Sequence, residues 1–513
     1  MKALPLAAGA ALSLMLSNAP GQQYYQTKAP YPTPPDGAGY EAPPPGYRAV
    51  STQLLARHGS RGLSGFKTDL AMYRLWQQAE KEGALTPLGA QLGPDILALM
   101  KANFLLGYGV DGIGKPGYGN ETLQGVAEHT QLARRMHRRL PELFRDAAAK
   151  RRAIVVVTSG KDRAVDSGYF FTRSLVAQQT GLEPLLALTS PAPLAPRGES
   201  DHASRPAGTD RYLLYFHKLS AKQDRPTAPA DPLNATYQAS QAYQRWQQSD
   251  ELRERMAAIM AQPRLTEAAR ATLERLFQPA FVAALDQGLH QAANTGGFSF
   301  TSADGRFTNT LAGDGDTKIA SATDAALALY ELYAAAADMR DEVPADFTRY
   351  VPSAQAGVFA SIEDALAFYE KGPGVTENGD LSWRMARTLL DDFFGEVDAV
   401  ARGDMRHAAK LRFSHAEIVI PMAALLGLPG MSGQLPRATM YNYENSGWRG
   451  ETVAPMAANI QWDVYRNARG RTLVRLLYNE RESDFKPACD AARFAAGSRY
   501  YDYQKLKKCY KDK

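Results

Sequence analysis

Thiols are scarce in this chain. Two cysteines, Cys489 and Cys509, among 513 residues exclude a four-thiolate zinc site, an iron–sulfur cluster and any disulfide framework beyond one bridge. Histidine is sparse too, with eight in all. His129 and His137 stand eight positions apart, as do His407 and His415, and no His-Glu-x-x-His occurs, so nothing supports zinc chemistry. Charge of one sign is hardly in excess: 59 Lys and Arg against 54 Asp and Glu leave a formal +5. That balance offers no footprint for nucleic acid, while leaving room for a local basic pocket that takes a small anion. The glycine run Gly109-Val110-Asp111-Gly112-Ile113-Gly114-Lys115-Pro116 lacks the Ser or Thr that a P-loop needs after its lysine.

An apolar run long enough to span a bilayer, roughly 20 residues, is also missing. Residues 3–16 are apolar, follow Lys2 and precede Ala19-Pro20-Gly21. This is the layout of a secretory signal over residues 1–21, cleaved before Gln22. No cysteine follows the run to carry a lipid anchor. The mature chain is therefore expected to be periplasmic or secreted, with no membrane attachment after signal removal. In an oxidising compartment Cys489 and Cys509 can pair and tie down the C-terminal tail.

What is present is globular material, 45% hydrophobic and 22% charged, enough for one or two packed domains. Eight prolines and five tyrosines between residues 20 and 47 predict an extended, polyproline-like lead-in over residues 22–47. Residues 50–56 read as a strand, and 154–158 as a strand covered on both faces, since that run has no polar alternation. A helix is expected between them, over 121–150, with Leu123, Val126, Met136, Leu140 and Leu143 on its apolar face. Another is expected over 167–180, stopped by Gly181.

From residue 186 a Pro- and Ser-rich stretch leads to helical patterns beginning at Thr266, Thr323 and Ser382, each with a Ser or Thr to cap it. Strand patterns return near Leu411 and over 473–478. The expected fold is α/β: a three-layer α/β/α core with a mostly parallel sheet, from residues 48–185 and 403–513, interrupted by an α-helical insertion, or cap, over 186–402.

Three clusters carry chemistry. The first, Arg57-His58-Gly59-Ser60-Arg61, directly follows a strand, where parallel sheets bind ligands. Guanidinium forks suit phosphate, and imidazole can attack phosphorus to form a covalent intermediate. The second, Ser159-Gly160-Lys161-Asp162-Arg163, repeats the order of buried strand, glycine and arginine. In the third, Phe413-Ser414-His415-Ala416-Glu417, a strand gives way to a helix whose first-turn amides favour anions. A carboxylic acid two residues from a histidine can protonate a departing alkoxide. Each alone also has a bland reading: a solvated turn, a charged loop, or a satisfied histidine beside a helix-starting glutamate.

Together the clusters resemble the second branch of the histidine phosphatase superfamily, and within it the multiple inositol polyphosphate phosphatases. His415-Ala416-Glu417 carries most of that likeness, since most acid phosphatases and histidine-type phytases of the branch have His-Asp there. Weaker echoes are Leu85-Thr86-Pro87-Leu88-Gly89, Ala454-Pro455-Met456-Ala457-Ala458-Asn459 and Leu477-Tyr478-Asn479-Glu480. The echoes run in family order from about residue 48 to Cys489. Many members carry proline two places after the second arginine, whereas Gly62-Leu63 follows Arg61 here.

The resemblance implies hydrolysis of phosphomonoesters, phytate first among them. His58 would be the nucleophile and Glu417 the proton donor, with Arg57, Arg61, Arg163 and His415 binding the phosphoryl oxygens. Lys67 is the nearby cation expected to touch substrate. No metal or cofactor is required, because arginines supply the charge. A broad-specificity histidine acid phosphatase and a catalytically silent inositol phosphate binder are the alternatives.

Overall fold

The run Ile154-Val155-Val156-Val157 needs cover on both faces, and it has it. In the computed structural model, which describes residues 23–34, 39–188 and 207–511, Ile154 and Val156 pack with Leu132, Met136, Phe171 and Leu175. Val155 and Val157 point the other way, into the larger core, as the two-residue period of a strand requires. The expected signal peptide, residues 1–21, lies outside the described residues, and so does 189–206 of the Pro/Ser-rich stretch.

Among the described residues ten strands form, β1 (Tyr47–Arg57), β2 (Ala153–Thr158), β3 (Leu186–Leu188), β4 (Ala292–Thr301), β5 (Thr308–Ile319), β6 (His407–Ser414), β7 (Asn459–Asn467), β8 (Thr472–Tyr478), β9 (Arg481–Ser483) and β10 (Tyr500–Asp502). Eight of them make one sheet in the order β10-β8-β7-β1-β6-β2-β3, with β9 beside β8. β1, β6, β2 and β3 run parallel, and β7, β8, β9 and β10 complete the other side with antiparallel pairings.

Helices Leu123–Arg139, Pro141–Lys150 and Asp162–Gln178 cover one face. On the other, helix Arg387–Ala401 brings Phe393 and Phe394 onto the fully buried Trp462 of β7, at ring separations of 5.2 and 5.3 Å. Burial of each such side chain contributes about 1.5–3 kcal/mol. This second face is not purely apolar. β6 turns the fully buried Arg412 toward that helix, where Asp392 Oδ2 accepts from its Nε at 2.8 Å and Gln53 Oε1 from its Nη2 at 2.9 Å.

Several boundaries differ from the sequence expectation. The helix expected over 121–150 is two, because Pro141 opens a new helix at a position where it has no amide hydrogen to lose. Its buried face is also rotated: Gly125, Glu128, His129, Leu132, Ala133 and Met136 face inward, whereas Leu123 is 47% exposed. Helix Asp162–Gln178 starts five residues before Ser167, so Arg163 lies in its first turn. Ser321, not Thr323, caps helix Ala322–Asp338 by accepting from the Asp324 amide. Ser382 donates to Gly372 O instead of capping, and the helix after it begins at Arg387.

The region 207–402 contains a ribbon, β4 with β5, as well as helices. Its pattern, Phe298-Ser299-Phe300-Thr301, has the strand period. Phe298 and Phe300 pack on Phe66 and Phe104, while Ser299–Thr310 and Thr301–Thr308 hydroxyl pairs face outward. The proline- and tyrosine-rich lead-in lies along the core: Met456 N donates to Ala29 O at 2.8 Å and Tyr31 Oη to Glu480 Oε2 at 3.0 Å.

Cys489 and Cys509 are bonded, with Cα atoms 5.7 Å apart, and join the turn Pro487–Ala492 to the last helix, Tyr503–Lys511. Cutting a loop of this length costs about 3 kcal/mol in the chain-entropy account. Cys489→Ser/Cys509→Ser should therefore show a lower denaturant midpoint than the parent, and no such change would mean that the tail is held by packing alone.

Candidate active site

Register builds the site. Arg57 of β1 lies opposite Ser414 of β6, and Thr158 of β2 opposite Phe413. The next residue on each strand therefore emerges at one edge of the sheet, within a strand spacing or two of about 4.8 Å. His58 and His415 meet there with ring centroids 5.4 Å apart. Ser159, the residue after β2, places its Oγ 2.8 Å from His415 Nε2.

The His58 loop is fixed from behind. Its amide donates to Ser414 O at 2.8 Å, and that of Arg57 to Ala458 O at 2.8 Å. The Gly59 amide donates to Glu121 Oε1 at 2.8 Å, and the Ser60 amide to Glu128 Oε2 at 2.7 Å. Ser167 of the Arg163 helix donates to the same Glu121 oxygen. His129 Nε2 lies 3.1 Å from Arg57 O, where the ring nitrogen must donate. Gly59 is required by close approach: a Cβ there would sit 2.7 Å from Gly125 Cα on helix Leu123–Arg139. That helix therefore buries polar residues and a glycine where an ordinary amphipathic helix would bury leucine.

His58 Nδ1 lies 2.9 Å from Gly59 O. A carbonyl only accepts, so Nδ1 carries the proton and Nε2 keeps its lone pair. Burial, and then Arg163 and Arg57, hold the His58 imidazole well below its ordinary value, so it stays neutral. Burial also lowers Arg57 and Arg163, each to about 10, with Arg61 the next cause in both; both remain charged at any working pH.

These cations are short of partners. Arg57 Nη1 donates to Thr27 O and to Ala454 O, and Arg61 Nη1 to Gly62 O. Yet Arg57 Nε, Arg61 Nε, Arg163 Nε and His415 Nδ1 are buried without a hydrogen-bond partner. Buried polar groups are nearly always satisfied, so four nitrogens of cationic or imidazole side chains left without a partner near His58 are an exception that calls for an acceptor from outside the chain.

Glu417 stands in the first turn of helix Ala416–Leu426, with Lys371 Nζ 3.1 Å from its Oε1. Burial alone would raise its carboxyl. Lys371 and then His217 and His415 outweigh that and leave it well below the ordinary range. Lys67 sits apart from this group, exposed, its ammonium 3.8 Å from Asp314 Oδ2 on β5.

Sequence reasoning missed the supports: Glu121, Glu128, His129, His217 and Lys371. For Glu128 and His129 a signal existed, since they fall on the inward stripe of a helix with Gly125 and Leu132. For Lys371 and His217 none did, because their nearness to Glu417 and His415 comes from the packing of distant segments. The glycine run 109–116 is a turn following helix Gly89–Leu105, not a phosphate loop between strand and helix.

The chain is similar to known phosphatases in sequence and in fold. The family model of the histidine phosphatase superfamily (branch 2) matches residues 50–479. Multiple inositol polyphosphate phosphatase of Bifidobacterium longum, solved with phosphate, is 32% identical, with a TM-score of 0.82 over 96% of this chain and 98% of that one. Its complex with inositol hexasulfate gives 0.81 over 95% and 97%. The D. castellii phytase shares the fold at 13% identity, with a TM-score of 0.58. Multiple inositol polyphosphate phosphatase 1 of Homo sapiens is 26% identical over 170 residues, a match spanning 31% of this chain and 32% of that protein.

Replacing Glu121 by Ala removes the shorter of the Gly59 amide's two acceptors and leaves only Ser167 Oγ at 3.3 Å, a loss of about 1 kcal/mol that loosens the loop carrying His58. Turnover should drop at least tenfold while Glu121→Gln, which keeps the acceptor, recovers most of it. Equal activity in the two variants would show that the loop does not depend on this clamp.

Proposed function

Because the chain belongs to branch 2 of the histidine phosphatase superfamily, we propose that it is a phosphoric monoester hydrolase that removes phosphates from inositol polyphosphates such as phytate, through a phosphohistidine. The observation that carries this reading is the set of four unpartnered nitrogens, Arg57 Nε, Arg61 Nε, Arg163 Nε and His415 Nδ1, around a histidine with a free Nε2.

His58 Nε2 attacks phosphorus in line, and the bond from phosphorus to the inositol oxygen breaks. Arg57, Arg61, Arg163 and His415 hold the three remaining oxygens and take up the charge that shifts onto them in the transition state. The departing oxygen takes a proton from Glu417. In the second half, Glu417 as carboxylate accepts a proton from the water that attacks phosphorus, the nitrogen–phosphorus bond breaks, and inorganic phosphate leaves. The arginines do the work that a magnesium ion does in other phosphoryl transfers. Lys67 is proposed to meet a further phosphate of the substrate, not the one being cleaved; its exposed ammonium, paired only at 3.8 Å with Asp314, supports that role.

The setting is periplasmic or secreted in this reading. The Cys489–Cys509 bridge supports an oxidising compartment, and among the described residues no helix is long and apolar enough to cross a membrane.

Two measurements test the reading. Purified protein should release phosphate from phytate, with lower inositol phosphates seen by chromatography, and His58→Ala should abolish release. Cleavage of aryl phosphates but not phytate would mean a broad acid phosphatase, and tight phytate binding without product a silent binder. The second is a pH profile. A folded value well under the ordinary one keeps His58 unprotonated, so the acid limb of kcat/KM with an aryl phosphate should lie well below about pH 6.5. A limb centred near 6.5 would mean that an unperturbed imidazole controls the reaction.

A further inference from the structure

Lys371 belongs to none of the three motifs, yet it makes the direct ionic contact to the proposed acid, Nζ to Glu417 Oε1 at 3.1 Å. Such a contact favours the carboxylate, whereas a proton donor must carry the proton. The other groups facing Glu417 are His217 from the turn Phe216–Lys218, His415 at its own helix start, Arg57 from the end of β1, Arg163 from helix Asp162–Gln178 and Tyr243 from helix Asn234–Gln247. Lys371 faces Glu417, Glu370, Arg57, Glu363 and His217. Burial opposes ionisation of Glu417, and Lys371 is the largest influence that favours it.

The backbone at Lys371 is held by the fold, whereas the hydrogen bonds of its ammonium, among the described residues, go to Glu417 alone. Lys371 N donates to Ala367 O at 3.0 Å, closing helix Ser353–Glu370, and Ser382 Oγ donates to the next carbonyl, Gly372 O, at 2.7 Å. The side chain is 19% exposed, and that of Glu417 34%. An ammonium on a flexible four-carbon stem has three donors to share. A substrate with several phosphates brings a second anion to compete for them.

Resting on the phosphatase reading above, we propose that Lys371 is a positioning residue that pairs with Glu417 in the empty site and turns to a non-scissile phosphate of a bound inositol polyphosphate, releasing Glu417 to hold the proton it donates. The proton comes from water or from a singly protonated phosphate of the substrate, and it ends on the leaving inositol oxygen. A substrate with one phosphate gives Lys371 nothing to turn to, so Glu417 stays ionised to a lower pH. The same contact thus selects for polyphosphates through proton donation as well as through affinity.

The test compares phytate with glycerol 2-phosphate, whose alkyl leaving group also needs the proton but carries no second phosphate. In the parent enzyme the alkaline limb of kcat should lie about one pH unit higher for phytate than for glycerol 2-phosphate. Lys371→Met should close that gap, raise the phytate KM about tenfold and lower the phytate-to-glycerol-phosphate ratio of kcat/KM at least tenfold. Lys371→Arg, which keeps the charge, should keep the gap. Equal losses on both substrates in Lys371→Met, or a gap that survives it, would reduce Lys371 to a structural partner and overturn the inference. A parent enzyme that cleaves glycerol 2-phosphate but not phytate overturns the polyphosphate reading itself. Turnover of both without a gap overturns Lys371 alone.

Discussion

The parallel register between β1 and β6 is the constraint on which the site depends. Arg57 opposite Ser414 forces His58 and His415 to leave the sheet side by side, although 357 positions of sequence separate them. A parallel pair needs a crossover connection, and here that crossover contains most of the molecule. The insertion can therefore be large and varied without disturbing the spacing of the two imidazoles. Their separation is set by the hydrogen-bonded ladder, not by the helices around it.

Holding such a site folded has an electrostatic cost. Arg57, Arg61 and Arg163 repel one another, and burial depresses two of them. The compensation comes from behind and from the side. Asp338 is fully buried, with Oδ1 3.0 Å from Ser60 Oγ, and Glu417 faces the same cations. Burial pushes the Asp338 and Glu121 carboxyls up, the latter to about 8. Protonated, these two acids serve as hydrogen-bonding groups for the His58 loop, so the charge compensation of Arg57 and Arg163 rests mainly with Glu417. The unpartnered nitrogens express the same imbalance, since cationic donors there outnumber the acceptors that the chain supplies.

Much of this was legible from residues alone, for a physical reason particular to each case. The unalternating 154–158 run identified a doubly covered strand, and the strand expected over 50–56 is present as the longer Tyr47–Arg57, its end within one residue because strand ends coincide with the switch from apolar to polar and glycine. The ribbon was passed over although Phe298-Ser299-Phe300-Thr301 alternates, since neighbouring helical patterns set the expectation. The helix facing His58 was misjudged in its inward face. Its buried stripe contains Gly125, Glu128 and His129, and a hydrophobicity count turns such a stripe toward solvent.

By itself the sequence determined the chemical inventory and its order: a histidine between arginines after one strand, an arginine after a second, His-Ala-Glu after a third, and two cysteines able to bridge the tail. Those are local facts, carried by residue type and by strand and helix periods. Only the tertiary structure decided which nitrogen of His58 is free, that Glu121 and Glu128 hold its loop, that Lys67 faces outward to Asp314, and that Lys371 meets Glu417. These outcomes depend on contacts between segments tens to hundreds of residues apart, and on how far burial raises or lowers a proton's affinity. No local pattern encodes either.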